Sequence, residues 1–178
     1  MSSIINATTT NGIVIQPDNS GSLVLQSSGT TIMTVSSTGV STQVGAPAFS
    51  AYQTTGTSLS AGTTTKVLFD TKQFDTNSNF ASSRFTPTVA GYYQMNACVF
   101  VSGTVSVLLT ILNASNGASR SGSLTNIAGQ GQSASMVSSV MYFNGSTDYV
   151  EIYVYSSNAL TTLNGQYTYF NGCFLRSA

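Results

Sequence analysis

The stretch Arg84-Phe85-Thr86-Pro87-Thr88-Val89-Ala90-Gly91-Tyr92-Tyr93 decides the fold. It opens beside an aromatic, passes through a Pro and a Gly, and runs into an alternating segment. There Tyr93, Met95, Ala97 and Val99 share one side, and Gln94, Asn96 and Cys98 share the other. Period-two alternation after turn residues places a long half-buried strand directly behind a turn. Pro87 has no N–H to give to a ladder, so it belongs at the strand's beginning or edge. Gly91 permits a bulge or a close backbone approach just ahead of the buried aromatics.

Working outward, the same kind of segment recurs. Strands are expected over 49–52, 66–70, 105–112, 136–143, 149–155 and 167–175, and 74–80 turns back on itself. In 105–112, Val105, Val107, Leu109 and Ile111 face one way, while Leu108 and Leu112 make the other face apolar as well. Asn144-Gly145-Ser146 is a tight turn before a strand that points Val150, Ile152 and Val154 inward. Residues 56–65 and 113–132 read as polar loops, the second with one short strand around Leu124. No window carries a 3.6-residue apolar period, so almost no helix is expected. Many short strands divided by turn signals specify an all-β sandwich or jelly roll.

Residues 1–46 differ from the rest. They hold no aromatic and a single charge, Asp18, whereas all nine Tyr and all nine Phe follow. Short apolar runs alternate with small polar turns: Ile13-Val14-Ile15, Leu23-Val24-Leu25 and Ile32-Met33-Thr34-Val35, the last two closed by Gly29 and Gly39. Such units bury too little apolar surface to form a core alone. Either the segment is flexible, or copies from several chains pack together, and the β-branched runs favour packing. Gly45-Ala46-Pro47 punctuates the change. The chain is therefore divided into 1–46, a β-rich attachment and trimerisation segment, and 47–178, a head domain.

Five Lys and Arg balance five Asp and Glu, there is no His, and only 6% of residues are charged. An ordinary globular protein carries about a quarter. Low charge removes electrostatic steering and weakens solubility as a free monomer, which suits a protein held in an assembly. Lys66, Lys72, Arg84, Arg120 and Arg176 are scattered, so no basic patch for nucleic acid is expected. No run approaches the ~20 apolar residues of a membrane-spanning helix. Met1-Ser2-Ser3-Ile4-Ile5-Asn6 has neither the basic start nor the apolar run of a secretory signal, so synthesis in a cytoplasm is expected. Cys98 and Cys173 are too few for a disulfide framework and are expected as free, buried thiols. An inter-subunit disulfide is the alternative.

Four segments together resemble a known family. They are Lys66-Val67-Leu68-Phe69-Asp70, Phe74-Asp75, the opening stretch, and Phe170-Asn171-Gly172-Cys173-Phe174-Leu175. The pattern of a Phe and Pro, a Gly-aromatic-aromatic strand and a Phe-x-Gly-x-x-Leu close resembles the globular head of the complement q subunit and its tumour-necrosis-factor-like relatives, over about 49–175. Asn144-Gly145-Ser146-Thr147-Asp148 stands where that family has a Gly-Asp turn, with an insertion. The resemblance implies a ten-stranded jelly roll that assembles as a compact trimer. Gly12-Ile13-Val14-Ile15-Gln16-Pro17-Asp18, and Gly29-Thr30-Thr31-Ile32-Met33-Thr34-Val35 through Gly39-Val40, resemble the β-rich stalks of bacteriophage fibres and other virion surface proteins. A fibre-like leader before a trimeric head is the plan of a virion appendage. The collagen-like leader of the animal family is absent.

Catalysis is not expected. Without His there is no Ser-His or Cys-His pair and no His-ligated metal. Asp70 and Asp75 could form a carboxylate pair, but Asp flanking a strand turn ordinarily caps it. Asp148 and Glu151 are too few for calcium without symmetry copies. No metal and no cofactor are therefore assigned. Tyr153 and Tyr155 point away from Ile152 and Val154, and suit either ligand binding or burial between subunits. The trimer interface is accordingly placed at Leu108, Leu112, Tyr153 and Tyr155, and a recognition loop at Asn116, Arg120 and Asn126.

The function expected is that of a non-enzymatic bacteriophage virion structural protein, made in the host cytoplasm and trimeric on the particle surface. Its first form is a short tail fibre or receptor-binding adhesin. The alternative is a capsid decoration (cement) protein stabilising the shell, since about 45 residues at ~3.3 Å each make a short stalk. Expected partners are itself, other virion proteins through 1–46, and a host surface glycan or protein, with no nucleic acid and no membrane insertion. A secreted cytokine-like or lectin module would lack its usual signal and disulfides.

Overall fold

The computed structural model describes residues 20–43, 45–102, 106–122, 125–126 and 131–178. The chain separates into two compact units, Met1–Gly45 and Ala46–Ala178. No described residue is helical.

The first unit is an antiparallel meander of β1 (Leu23–Ser27), β2 (Thr30–Val35) and β3 (Ser41–Gln43). Ser28 (φ 50°) and Gly29 (φ 78°) form a two-residue turn with both centres left-handed, the geometry that matches strand twist. None of the unit's described side chains is buried, and Val24, Leu25, Ile32 and Val40 are exposed. The run Ile13-Val14-Ile15 lies outside the described residues.

The second unit begins with β4 (Ala48–Gln53), β5 (Ser58–Leu59), β6 (Thr63–Lys66), β7 (Thr71–Asp75), β8 (Phe80–Ala81) and β9 (Arg84–Phe85). It continues with β10 (Gly91–Ser102), β11 (Ser106–Asn113), β12 (Ser119–Ser121), β13 (Thr125–Asn126) and β14 (Gln132–Phe143). It closes with β15 (Val150–Ser156), β16 (Leu160–Thr161) and β17 (Gly165–Arg176). One sheet has the order β14-β10-β17-β4-β7. The other runs β12-β11-β15-β9-β8, with β13 added on β11 and β6 on β15, while β16 pairs β5 separately. This is a jelly-roll sandwich. Its core takes alternate residues of each long strand: Tyr93, Met95 and Val99 of β10, Leu109 and Ile111 of β11, Ile152 and Val154 of β15.

The opening stretch is the seam between the two sheets. Phe85 of β9 and Tyr93 of β10 are fully buried, and Pro87 lies buried between them, outside both ladders. Phe49 stacks on Phe85 at 4.3 Å and meets Phe170 edge-on at 4.8 Å. Tyr93 packs edge-on against Phe85 (5.7 Å), Phe143 (5.5 Å) and Phe174 (5.2 Å). A Cβ on Gly91 (φ 153°) would run into the Arg176 carbonyl and the Phe174 ring, and the β10–β17 register shifts at Tyr92/Tyr93, so both readings of that glycine hold. Gly172 is confined by a more yielding neighbour, since a Cβ there would meet the Met95 sulfur at 2.6 Å.

Several expected boundaries change. Residues 66–70 are not one strand: β6 ends at Lys66 and β7 begins at Thr71. Between them Val67 N–H donates to Ile152 O (2.9 Å), Leu68 N–H to Thr57 Oγ1 (3.0 Å) and Phe69 N–H to Ser83 Oγ (2.8 Å). Two side-chain hydroxyls thus replace ladder carbonyls. The expected loop 56–65 holds β5 and β6, and the expected loop 113–132 holds β12 and β13, both paired to β11. Val105 and Leu124 lie outside the described residues. Cys98 is buried, as expected, and forms no disulfide within the chain. Cys173 is free but exposed, because its register on β17 turns it outward.

Candidate functional site: an apolar sheet face and a charged groove

The outer face of the five-stranded sheet is built by the outward register of its three longest strands. Pairing sets Tyr92, Gln94, Asn96, Cys98 and Phe100 of β10 opposite Tyr142, Val140, Ser138, Met136 and Ala134 of β14. On the other flank stand Arg176, Cys173, Asn171 and Tyr169 of β17. Tyr92 and Tyr142 meet at 5.6 Å, and Phe100 meets Tyr167 at 5.6 Å. Met136 is 60% exposed, Val140 47%, Tyr142 45% and Tyr167 68%. Across β10, β14 and β17 the one charged residue is Arg176, whose guanidinium sits 5.6 Å from the Tyr92 ring.

A short polar ladder crosses the middle of this face. Gln94 Nε2 donates to Ser138 Oγ (2.8 Å), Ser138 Oγ donates to Asn96 Oδ1 (2.8 Å), and Asn96 Nδ2 donates to Asn171 Oδ1 (3.0 Å). These bonds lower the desolvation cost of covering Gln94 Nε2, Ser138 Oγ, Asn96 and Asn171 Oδ1. Cys98, 5% exposed, stands between Met136 and Tyr169 in the sheet register, and burial raises its thiol pKa. Large apolar side chains exposed on three strands that bear a single charge are what this face offers to a partner. None of these residues is among the four expected at a trimer interface. The readable signal was 136–143, where Met136, Val140 and Tyr142 are apolar on the face opposite Val137, Met141 and Phe143.

The outer face of the second sheet carries a different constellation. Arg84 stands opposite Glu151, and Lys66 opposite Tyr153. Glu151 Oε1 accepts from Lys66 Nζ (2.7 Å) and Arg84 Nε (2.8 Å), and Oε2 accepts from Tyr153 Oη (2.8 Å). The Arg84 guanidinium carbon also lies over the Tyr149 ring, 3.8 Å from its centroid. Burial pushes the Glu151 carboxyl up, but the hydrogen bonds from Lys66, Tyr153 and Arg84 outweigh it and leave the pKa lowered. The carboxylate side chain is 4% exposed, whereas Lys66 and Arg84 are 27% and 42% exposed.

The four expected interface residues share this second face. Leu108 stands opposite Tyr155, and Leu112 opposite Glu151. All four are half-buried, and Tyr153 is committed to Glu151. The expected recognition residues do not converge. Asn116 caps its own turn by accepting from Ala118 N–H (2.9 Å), and Arg120 on β12 donates to Ser119 O (2.8 Å). Arg120 pairs at Ile111 and Asn126 at Ser106, so about 17 Å of β11 separates them.

The carboxylates serve turns. Asp70 accepts from Thr54 and Thr55 N–H, and Asp75 from Asn79 and Phe80 N–H and from Lys72. Asp148 accepts from Ser115 Oγ and Asn144 N–H. Among the described residues no group of three or more acidic or Cys side chains could hold a metal ion.

No protein-family model matches the chain, and no curated protein does. Solved structures do. The globular domain of zebrafish complement 1qA protein aligns at TM-score 0.59 with 19% identity, covering 75% of this chain and 99% of that one. Murine APRIL, crystallised at pH 5.0, aligns at TM-score 0.54 with 12% identity, covering 73% and 99%. These likenesses establish the fold as the jelly roll of complement-q and tumour-necrosis-factor-type domains.

Proposed function

We propose that this chain is a non-enzymatic structural protein of a bacteriophage virion surface, assembled as a homotrimer and acting as a short tail fibre or receptor-binding adhesin. The observation that carries the assembly reading is the five-stranded face, with Met136, Val140, Tyr142 and Tyr167 exposed on strands bearing a single charge. The first unit supports it too: its exposed Val24, Ile32 and Val40 gain cover only from another surface. Threefold stoichiometry rests on the sequence resemblance to complement-q heads. The virion setting rests on the resemblance of the first unit to fibre stalks. The patch of Leu108, Leu112, Tyr153 and Tyr155 is the second contact surface to test. Three weak sites on one rigid head, repeated around a particle, give adhesion by avidity toward a host glycan or protein.

A capsid decoration role is the second reading. The observation favouring it is the size of β1–β3, strands of five, six and three residues folded back on one another. At ~3.3 Å per residue none exceeds about 20 Å, a short reach that suits a seat on a shell.

Gold labelling of intact virions tests both. Label on the tail tip, with loss of incorporation when residues 1–45 are deleted, is the adhesin result. Label over the capsid alone overturns it in favour of decoration. No label on the particle overturns both.

A further inference from the structure

We propose that the groove around Arg84 and Lys66 binds an acidic saccharide, with the Arg84 guanidinium as the carboxylate-binding group. This deepens the adhesin reading by naming a ligand class, and rests on it.

The groove lies along β8 and β9, at the edge of the second sheet, and its rim includes Lys66, Asn79, Ser82, Arg84, Thr86 and Thr88. The proposed assembly face belongs to the other sheet, so association there leaves the groove open.

Three features make it a built anion site. First, charge is unbalanced. Two cations share the single Oε1 of Glu151, no acid lines the groove, and neighbouring Asp75 is taken by Lys72 at 3.1 Å. Second, Arg84 is held in place before any ligand arrives. Its Nε is fixed to Glu151 at 2.8 Å and its guanidinium carbon lies 3.8 Å from the centroid of the Tyr149 ring, while its two terminal nitrogens have no partner among the described residues. A guanidinium locked by its inner edge, with its outer edge free, presents the fork that matches a carboxylate, and little side-chain entropy is lost on binding. Third, the flanking hydroxyls of Ser82 and Thr86 make no hydrogen bond among the described residues, although Ser82 O accepts from Lys66 Nζ at 3.1 Å. Free hydroxyls beside a fixed cation suit a sugar acid, whose ring hydroxyls need partners and whose carboxylate needs the cation.

The test is a nuclear magnetic resonance titration of the full-length protein with a galacturonic acid trisaccharide, the uncharged galactose trisaccharide of the same linkage, and inorganic sulfate. Saturable shifts confined to residues around 66 and 82–88 with the acidic sugar are expected, with the neutral sugar weaker by about tenfold or more. Arg84→Gln should remove the binding. Because that change could unfold the β9–β15 contact, Thr86→Glu is the second variant: it leaves the Glu151 cluster whole, places a negative charge on the rim, and should weaken binding by about tenfold. Equal shifts with the neutral sugar, no shift with the acidic one, or unaltered binding in a folded Thr86→Glu protein would each overturn the proposal. So would sulfate shifting the same residues as strongly, since that means an adventitious ion only. Adsorption of the same samples to host cells separates the two levels. Cell binding that survives Thr86→Glu overturns the groove and leaves the adhesin reading standing. Absence of cell binding by the wild-type protein overturns the adhesin reading itself.

Discussion

Tyr93 Oη donates to the carbonyl of Val89, four residues earlier in the chain, at 2.7 Å. This bond fastens the turn between β9 and β10 to the ring that anchors it in the core. Tyr93→Phe keeps the ring packing and deletes the bond, so it should cost about 1 kcal/mol. Burial pushes the Tyr93 phenol up to about 12 from its usual 10.0. The folded state therefore holds its proton where the unfolded chain releases it, and stability falls as pH rises from 10 toward 12. Melting temperatures across that range should decline less steeply in Tyr93→Phe than in the wild type.

Gly91→Ala should be more damaging. The added methyl has the Arg176 carbonyl and the Phe174 ring in its way, at a φ that side chains rarely adopt. Separation of β10 from the end of β17, at a cost of about 2 kcal/mol or more, is expected. A chemical-denaturation midpoint within error of wild type would contradict this.

Glu151 joins β6 and β9 to β15 through its two cations. Because its folded pKa is lowered, its contribution is complete above the ordinary value of 4.5 and is lost as pH falls through the folded value. Glu151→Gln should lose about 1–3 kcal/mol at neutral pH, since it leaves two cations without their carboxylate. It should also flatten the decline of melting temperature between about pH 5 and 3. An unchanged acid slope would show that other carboxylates govern it.

Ser82 (φ 51°) and Ser83 (φ 57°) make a two-residue turn from residues that adopt this conformation reluctantly. Their side chains differ in duty. Ser83 Oγ accepts from Phe69 N–H (2.8 Å) and donates to Phe69 O (3.2 Å), whereas Ser82 is exposed. Ser82→Asn should therefore raise stability by about 0.5 kcal/mol, and Ser83→Ala should lower it by about 1–3 kcal/mol. Thermal melts of the two variants moving in the same direction would refute this division.

The parts of the fold legible in the sequence were those with local causes. The long strand after Gly91 follows from alternation, and its inward set, Tyr93, Met95, Ala97 and Val99, lies in the core between the sheets. Residues 66–70 misled because Val67 and Phe69 alternate in burial like a strand, yet Thr57 and Ser83 supply two of the hydrogen-bond acceptors. Periodicity cannot register a hydroxyl arriving from another loop. Strands β8 and β9 have two residues each, too few to carry a period. The apolar-on-both-faces criterion singles out 105–112, but 136–143 meets it as well. Only the sheet arrangement shows that Met136 and Val140 are more exposed than Leu108 and Leu112. The Glu151 cluster joins residues 85 and 67 positions apart, a spacing without local signature.

Self-assembly is proposed to run through the outer face of the five-stranded sheet. Its most direct test is the solution mass of the full-length protein by light scattering, for the wild type, for Met136→Glu with Val140→Glu, and for Leu108→Glu with Tyr155→Glu. Three times the 18.5 kDa chain mass is expected for the wild type, a single-chain mass for a folded Met136/Val140 variant, and an intact trimer for the Leu108/Tyr155 variant. A monomeric wild type at micromolar concentration, or a trimer that survives at Met136/Val140 and fails at Leu108/Tyr155, would contradict it.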